Sequence, residues 1–289
     1  MKRPRILLTG AQGQLGHALA RLLPLHGDVI ALDRAALDLA DPDAIVAAVR
    51  AATPELIVNA GAYTAVDVAE KERAGAFAVN AQAPQVLAAE ARRTGALLIH
   101  YSTDYVFDGT ARVPYAEDAP AAPLNVYGAS KLAGEQAIAG SGACALTLRT
   151  SWVYGLRGRN FLLTIRRLAA QRPELRIVAD QAGTPNWAVA LARATVTLVA
   201  MGLPALKDRA GLYHFSATGS TTWFGFAQAI VGAGASPVVV PITTAEFPTP
   251  ARRPAYGVLD TSRFTRTFGF ALPAWEACLA DCLADDRQG

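Results

Sequence analysis

A doubly wound, parallel α/β sheet with a smaller, interleaved C-terminal lobe is the fold class the sequence predicts. Three observations carry this. The first 150 residues alternate short apolar runs with helical periodicity. A glycine-rich turn joins the first run to the first helix. The later runs end in polar residues, where an open α/β sheet presents its ligand-binding edge.

Taken in order, strands are expected near 5–9, 28–33, 56–60, 96–101 and 144–149. Helices are expected near 14–25, 42–51, 66–90 (broken) and 127–140. Such alternation gives parallel crossovers and helices on both faces. Beyond Arg149 the pattern loosens into loop-rich pieces around 155–160, 180–187 and 243–254. Residues 188–206 are apolar but interrupted by Arg193, which suits a buried helix and not a membrane span.

The run Arg5-Ile-Leu-Leu-Thr9 leads into Gly10-Ala-Gln-Gly13-Gln-Leu-Gly16 and then a helix. Strand, glycine turn and helix form the context of a Rossmann-type dinucleotide fingerprint, in which backbone N–H groups approach a pyrophosphate at the positive helix end. Here the spacing is Gly-x-x-Gly-x-x-Gly. An ordinary strand–helix turn would read similarly. Asp33, about 20 residues past the glycines, stands where an acid bonds an adenosine ribose and favours NADH. Arg34 beside it would suit the 2′-phosphate of NADPH. The sequence leaves both cofactors open. Asp38 falls near the adenine position or caps the helix that starts near Pro42.

Tyr127 and Lys131 stand one helical turn apart in Asn125-Val-Tyr-Gly-Ala-Ser-Lys-Leu-Ala-Gly-Glu135. An ammonium held there favours the phenolate and is expected to lower the tyrosine pKa toward neutrality. The strand ending at His100 runs into Tyr-Ser-Thr-Asp-Tyr105, which sets Ser102, Thr103 and Asp104 at a strand's carboxyl end, within reach of a substrate carbonyl. A polar strand end capping its own turn is the plainer alternative.

With these motifs in place, the chain resembles the extended short-chain dehydrogenase/reductases, and within them the dTDP-4-dehydrorhamnose reductases. The matching stretches are 10–16, 58–67, 102–109, 123–135, 149–155, 160–161, 180–185, 211–214 and 253–260, in family order. The resemblance implies hydride transfer from NADH or NADPH to the 4-keto group of a dTDP-sugar. It implies Tyr127 as proton donor, Lys131 as its support and ribose ligand, and Thr103 as a donor to the developing oxyanion. Cofactor contacts would come from Gly10, Gly13, Gln14, Leu15, Gly16, Asp33, Arg34, Asp38, Leu39, Ala60, Gly61, Ala62, Tyr63 and Thr64, together with Tyr127 and Lys131. Thr64 would alternatively cap the helix beginning near Val66. Asn80 would support the lysine through water or serve as a structural amide.

Substrate contacts implied by the resemblance are Thr103, Asp104, Tyr105, Tyr127, Trp152, Asn160 and Arg253, with Arg157, Arg159 and Arg252 as further phosphate candidates. The domains expected are 1–149 with roughly 186–212 for the dinucleotide, and 150–185 with 213–289 for the substrate. This chain has Gly61-Ala62 where the family often has Ala-Ala, and Asn186-Trp187 where its loop usually continues Pro-Thr. Some members form dimers bridged by a metal through glutamates. The positions concerned fall near Ala18 and Val189, neither acidic, so no metal site is expected, and the chain should be a monomer or weak homodimer.

Three rival readings remain within reach. A sugar 4,6-dehydratase would show Thr-Asp-Glu where this chain has Thr103-Asp104-Tyr105. A 4-epimerase would keep its nicotinamide tightly bound. A non-catalytic regulatory subunit would tolerate decay of the tyrosine–lysine pair, which is intact.

Composition agrees. The 289 residues are 52% apolar with a net charge of +3, too small to argue for a nucleic-acid partner. Three cysteines (Cys144, Cys278 and Cys282) without disulfide or metal spacing fit a reducing cytoplasm, the last two as buried thiols. Met1-Lys-Arg-Pro-Arg5 has the basic start of a signal peptide, but the following apolar run is too short and reads as a strand.

Overall fold

The computed structural model describes residues 3–232 and 236–286. Its first half runs β1 (Arg5–Thr9), α1 (Gln14–Leu22), β2 (Asp28–Leu32), α2 (Pro42–Ala52), β3 (Leu56–Asn59), α3 (Val66–Ala69), α4 (Arg73–Phe77), α5 (Ala83–Thr94), β4 (Leu97–Thr103), α6 (Val126–Ser141) and β5 (Ala145–Thr150). The second half runs β6 (Val153–Tyr154), α7 (Phe161–Ala169), β7 (Glu174–Val178), β8 (Ala182–Gly183), β9 (Asn186–Trp187), α8 (Ala188–Ala200), α9 (Leu203–Lys207), β10 (Gly211–His214), β11 (Thr221–Thr222), α10 (Trp223–Val231), β12 (Val238–Ile242), α11 (Ser262–Phe268) and α12 (Trp275–Asp286).

Six strands form one parallel sheet in the order β10-β5-β4-β3-β1-β2. From β1 the chain first moves to one side, to β2, and then to the other, to β3. Connections therefore diverge between β1 and β3, and a crevice opens at their carboxyl ends. Alternation along the strands builds two cores. Ile6, Leu8, Val58, Ile99 and Leu148 face α1 and α8, where Leu19, Leu191 and Leu198 meet them. Leu7, Ile57 and Leu98 face the other way, onto Ile45 and Val49 of α2, Leu87 of α5 and Ile138 of α6. Both faces are covered, so β3 and β4 are buried along their whole length.

The second half adds three two-stranded sheets, β7 with β12, β8 with β11, and β6 with β9. It also returns to the large sheet through α8, β10 and α11, whose Phe264 and Phe268 enter the first core.

Differences from the sequence expectations have local causes. The first helix gives way to a 3-10 turn over Leu23–Leu25, because Pro24 has no N–H to continue the α pattern. The 188–206 helix breaks into α8 and α9 at Gly202, whose φ is +90°. The fourth strand runs on to Thr103, so Ser102 and Thr103 are strand residues. The broken 66–90 segment contains a π-helical turn, Ala78–Gln82, ahead of α5. Arg5 opens β1, while Met1 and Lys2 of the basic start lie outside the described residues. Cys278 and Cys282 are buried free thiols on α12. No helix is long and apolar enough to cross a membrane, among the described residues.

Candidate active site

The glycine turn is built by backbone contact. Gly10 has φ +69°, and a Cβ there would come within 2.5 Å of the Gly61 backbone. A Cβ on Gly16 would lie 2.0 Å from the Gly10 carbonyl oxygen. The turn therefore folds back on the start of α1, whose N-cap, Gly13, offers no side-chain cap. Early N–H groups of α1 stay open to an anion. That uncapped helix start, the side-chain-free cradle and Asp33 at the end of β2 fit a dinucleotide. The Asp33 carboxylate accepts from Ala35 N, Ala36 N and the Gln12 amide, the last at 2.6 Å. Arg34 is exposed beside it. Leu39 is buried, and a Cβ on Gly61 would meet its methyl at 2.4 Å. A side chain at this position would have to displace the Leu39 methyl. Asp38 accepts from Ala40 N, whereas the cap of α2 is Asp41.

Ala60, Ala62 and Thr64 lie on the segment after β3, the last two exposed. Thr64 does not cap α3 with its side chain, whose N-cap is Ala65. Tyr63 is held by Asn80, whose amide accepts from Tyr63 N at 2.9 Å and donates to Tyr63 O at 3.0 Å and to Ser130 Oγ at 3.0 Å. Asn80 sits on the π turn and ties this segment to α6; it makes no direct bond to Lys131. The Tyr63 hydroxyl donates to Glu72.

Asn125 caps α6 by accepting from Gly128 N at 2.8 Å, and so sets the turn that carries Tyr127. Gly128 allows α6 to touch the next segment, since a Cβ there would stand 2.1 Å from the Tyr105 carbonyl oxygen. The Tyr127 ring packs edge-on to Tyr105 at 5.6 Å between centroids. Thr103 neighbours the Tyr127 hydroxyl and draws its pKa down. Burial outweighs this and pushes Tyr127 up to about 12. The lowering expected from Lys131 is not found. Its Nζ turns away into the end of β4, donating to Tyr101 O at 2.5 Å and meeting His100 Nε2 at 3.2 Å. Burial brings Lys131 itself down to about 8. Asp104 is buried and pushed up to about 7, also by burial. Its Oδ1 accepts from Thr103, and its Oδ2 has no partner.

The substrate-side residues separate into engaged and available groups. Arg253 is not a free fork for phosphate. It grips the Asp67 carboxylate with both Nη atoms, at 3.1 and 2.8 Å, and reaches Tyr105. Asn160 is the N-cap of α7, and its amide donates to Gln14 Oε1 at 2.8 Å and to Gly155 O. Gln14 therefore faces the 153–160 loop with its side chain, leaving its backbone for the turn. Leu15 is buried in the first core. Arg157 lines a separate cleft of about 630 Å³ with His17, Arg21 and Arg193, and Tyr127 is not among its lining residues. Arg159 and Arg252 are exposed. Trp152, at φ +42°, stacks on Trp223. Among the described residues no group of three or more His, Cys, Asp or Glu side chains gathers to hold a metal.

A family model described as the RmlD substrate binding domain matches residues 4–288. The chain belongs to that family. A dTDP-4-dehydrorhamnose reductase of Burkholderia thailandensis is 47% identical over 97% of this chain and 98% of its own. One of Escherichia coli is 43% identical over 94% of each. The crystal structure of the Bacillus anthracis dTDP-4-dehydrorhamnose reductase in complex with NADP superposes with a TM-score of 0.91, at 38% identity, covering 98% of this chain and 99% of that one.

In this RmlD-family chain the sequence pattern missed several residues that shape the site. Trp223 covers a face of Trp152, Asp67 engages Arg253, Gln12 holds Asp33, and Gly128 admits Tyr105. Gln12, Asp67 and Gly128 lie inside the matching stretches without a role of their own in the pattern, and Trp223 lies in none of them. Thr9, Asn59 and His100 were also missed, although each is a polar residue at the end of an apolar strand, which was a readable signal.

Proposed function

We propose that this chain reduces the 4-keto group of dTDP-4-dehydro-L-rhamnose to the alcohol, giving dTDP-L-rhamnose. The single observation that carries the reading is Thr103 beside Tyr127 at the carboxyl end of β4, with the Lys131 ammonium anchored on Tyr101 O of the same strand, on the sheet that bears the glycine cradle. NADH or NADPH, when bound, supplies the hydride to the carbonyl carbon. The turn at Gly10, Gly13 and Gly16 receives its pyrophosphate, with Asp33 at the adenosine ribose. Thr103 donates a hydrogen bond to the carbonyl oxygen, and Tyr127 gives that oxygen its proton. Lys131 supports the tyrosine and meets the nicotinamide ribose. One ketone, one hydride and one proton give one alcohol.

A tyrosine pushed up to about 12 stays protonated at neutral pH, as a proton donor must. Asp104 and Tyr105 face sugar hydroxyls, with Arg253 beside Tyr105 and itself held by Asp67. Trp152 offers an indole surface to the nucleotide sugar. On the same reading, residues 1–149 with 186–212 serve the dinucleotide and 150–185 with 213–289 the substrate. The chain works in the cytoplasm as a monomer or weak homodimer, without a nucleic-acid partner.

The test is cofactor oxidation at 340 nm with dTDP-4-dehydro-L-rhamnose, run in parallel with NADH and NADPH. No oxidation with either cofactor would overturn the reading. Conversion of dTDP-glucose to its 4-keto-6-deoxy sugar would indicate a dehydratase instead.

A further inference from the structure

Lys131 is the end of a buried chain of side chains that crosses three strands. Thr9, Asn59 and His100 are direct register partners on β1, β3 and β4. Thr9 Oγ1 lies 2.7 Å from Asn59 Oδ1, Asn59 Nδ2 lies 3.0 Å from His100 Nδ1, and His100 Nε2 lies 3.2 Å from Lys131 Nζ. None of the four is more than 2% exposed. The chain begins at the residue before Gly10 and ends at the lysine beside the proton donor.

Proton counting constrains it. Burial and the neighbouring lysine hold His100 well below the usual imidazole range, so its ring is neutral, with one N–H and one acceptor nitrogen. An ammonium at Nε2 and an amide NH₂ at Nδ1 would both be donors, and a neutral ring cannot accept from both. Two arrangements satisfy every atom. In one, the Asn59 amide turns its oxygen to His100 and its NH₂ to Thr9. His100 then carries its proton on Nδ1, and Nε2 accepts from a charged Lys131. In the other, the amide NH₂ faces Nδ1, and the Nε2 proton is given to an uncharged Lys131 amine. The two shapes are nearly identical, so the lysine's charge selects the pattern.

We propose that His100 is a positioning residue for the reduction, with Asn59 and Thr9 setting its tautomer so that Nε2 accepts from the Lys131 ammonium and keeps that buried lysine charged. This deepens the function proposed above and rests on it for its kinetic arm. The Tyr101 carbonyl supplies a second acceptor. Glu135, on the lysine's own helix, is close enough for its charge to act on Lys131, while Tyr127 stands one turn away on that helix. Glu135 is already paired with Arg149 of β5, at 2.7 Å. His100 is therefore the side-chain acceptor for the Lys131 ammonium, beside the backbone acceptor at Tyr101.

The test begins with the wild-type chain free of ligands. ¹⁵N NMR of the histidine rings reads the tautomer, and ¹³C NMR of the lysine Cε reads the Lys131 titration. The expected result is an Nδ1–H tautomer of His100 while Lys131 is charged, changing to Nε2–H as Lys131 loses its proton. An Nε2–H tautomer, or an imidazolium, across the whole range overturns the proposal. His100→Leu should lower the Lys131 midpoint by about one pH unit and move the basic limb of kcat down with it. KM for the reduced cofactor should change less than about twofold. His100→Gln, whose carbonyl can accept from the ammonium, should recover most of the shift. A His100→Leu profile that is lower but unshifted would mean a purely structural role and overturn the proposal. The NMR arm needs no substrate, so absent reductase activity with the expected tautomer change would defeat the assigned reaction and leave the lysine inference standing.

Discussion

Trp152 and Trp223 lie face to face, ring centroids 3.5 Å apart and planes 9° from parallel. Trp152 comes from the end of the sheet and Trp223 from the first turn of α10, so the stack joins the two halves of the chain. It leaves Trp152 less indole surface for a ligand than the sequence suggested. A Cβ on Gly183 would also strike the ring, at 2.5 Å.

Replacing Trp223 by Ala should therefore raise KM for the nucleotide sugar more than it lowers kcat, because Trp152 loses its support while the reacting groups stay in place. Aromatic pairs of this kind are worth about 0.5–1.5 kcal/mol beyond burial, so a change of roughly 2–10-fold is expected. Steady-state kinetics with the dTDP-sugar measures it. An unchanged KM would remove Trp152 from the substrate site.

Tyr127→Phe removes the proton given to the carbonyl oxygen and leaves the ring packed on Tyr105. Turnover should fall by about 10²–10⁴-fold, the usual contribution of a positioned acid. Cofactor affinity, read by fluorescence of the bound reduced nicotinamide, should barely change. Full turnover in this variant would defeat the role given to the tyrosine.

Gly128→Ala places a Cβ 2.1 Å from the Tyr105 carbonyl oxygen. Backbone cannot yield there without shifting the start of α6, which carries Tyr127. A stability loss of about 1–3 kcal/mol is expected from such overpacking, with reduced kcat. Urea denaturation and kinetics on the same preparation check both. Wild-type values for each would show that the helix start yields freely.

Asp104 is a buried carboxyl raised to about 7 by burial. In the unfolded chain it ionises near 4, so the folded state holds the proton more tightly. Its stabilising contribution is complete below pH ~4 and is lost as pH rises through about 7. The full swing is on the order of 4 kcal/mol. Asp104→Asn cannot ionise, so the stability difference between variant and wild type should move in the variant's favour from pH 5 to pH 8. Urea denaturation at the two values tests this. A difference independent of pH would show that the carboxyl is ionised in the folded protein.

Much of the fold was legible because parallel strands buried on both faces must be nearly continuous apolar runs. Ile6-Leu-Leu8, Leu56-Ile-Val58 and Leu97-Leu-Ile99 announce themselves in that way. The glycine turn was legible because only glycine tolerates backbone contacts as close as those of Gly10 and Gly16. The helical pair was legible from spacing alone. What spacing could not supply was where the Lys131 ammonium points, since a four-carbon stem reaches several acceptors and packing selects among them. Arg253 shows the same limit. Its sequence position suits a phosphate, yet its fork closes on Asp67, a residue 186 positions away.

By itself the sequence determined the strand–helix alternation, the glycine turn and the helical spacing of Tyr127 and Lys131. Each of these is encoded over a few neighbouring positions, through periodicity, backbone freedom or side-chain chemistry. Tertiary structure decided which polar groups remain available. It gave Arg253 to Asp67, Asn160 to Gln14 and Asn80 to the backbone of Tyr63. It also aligned Thr9, Asn59 and His100 behind Lys131. Hydrogen-bond partners distant in sequence are fixed only when strand register and helix docking bring them within about 3 Å, and buried polar groups must take whichever partner then stands there.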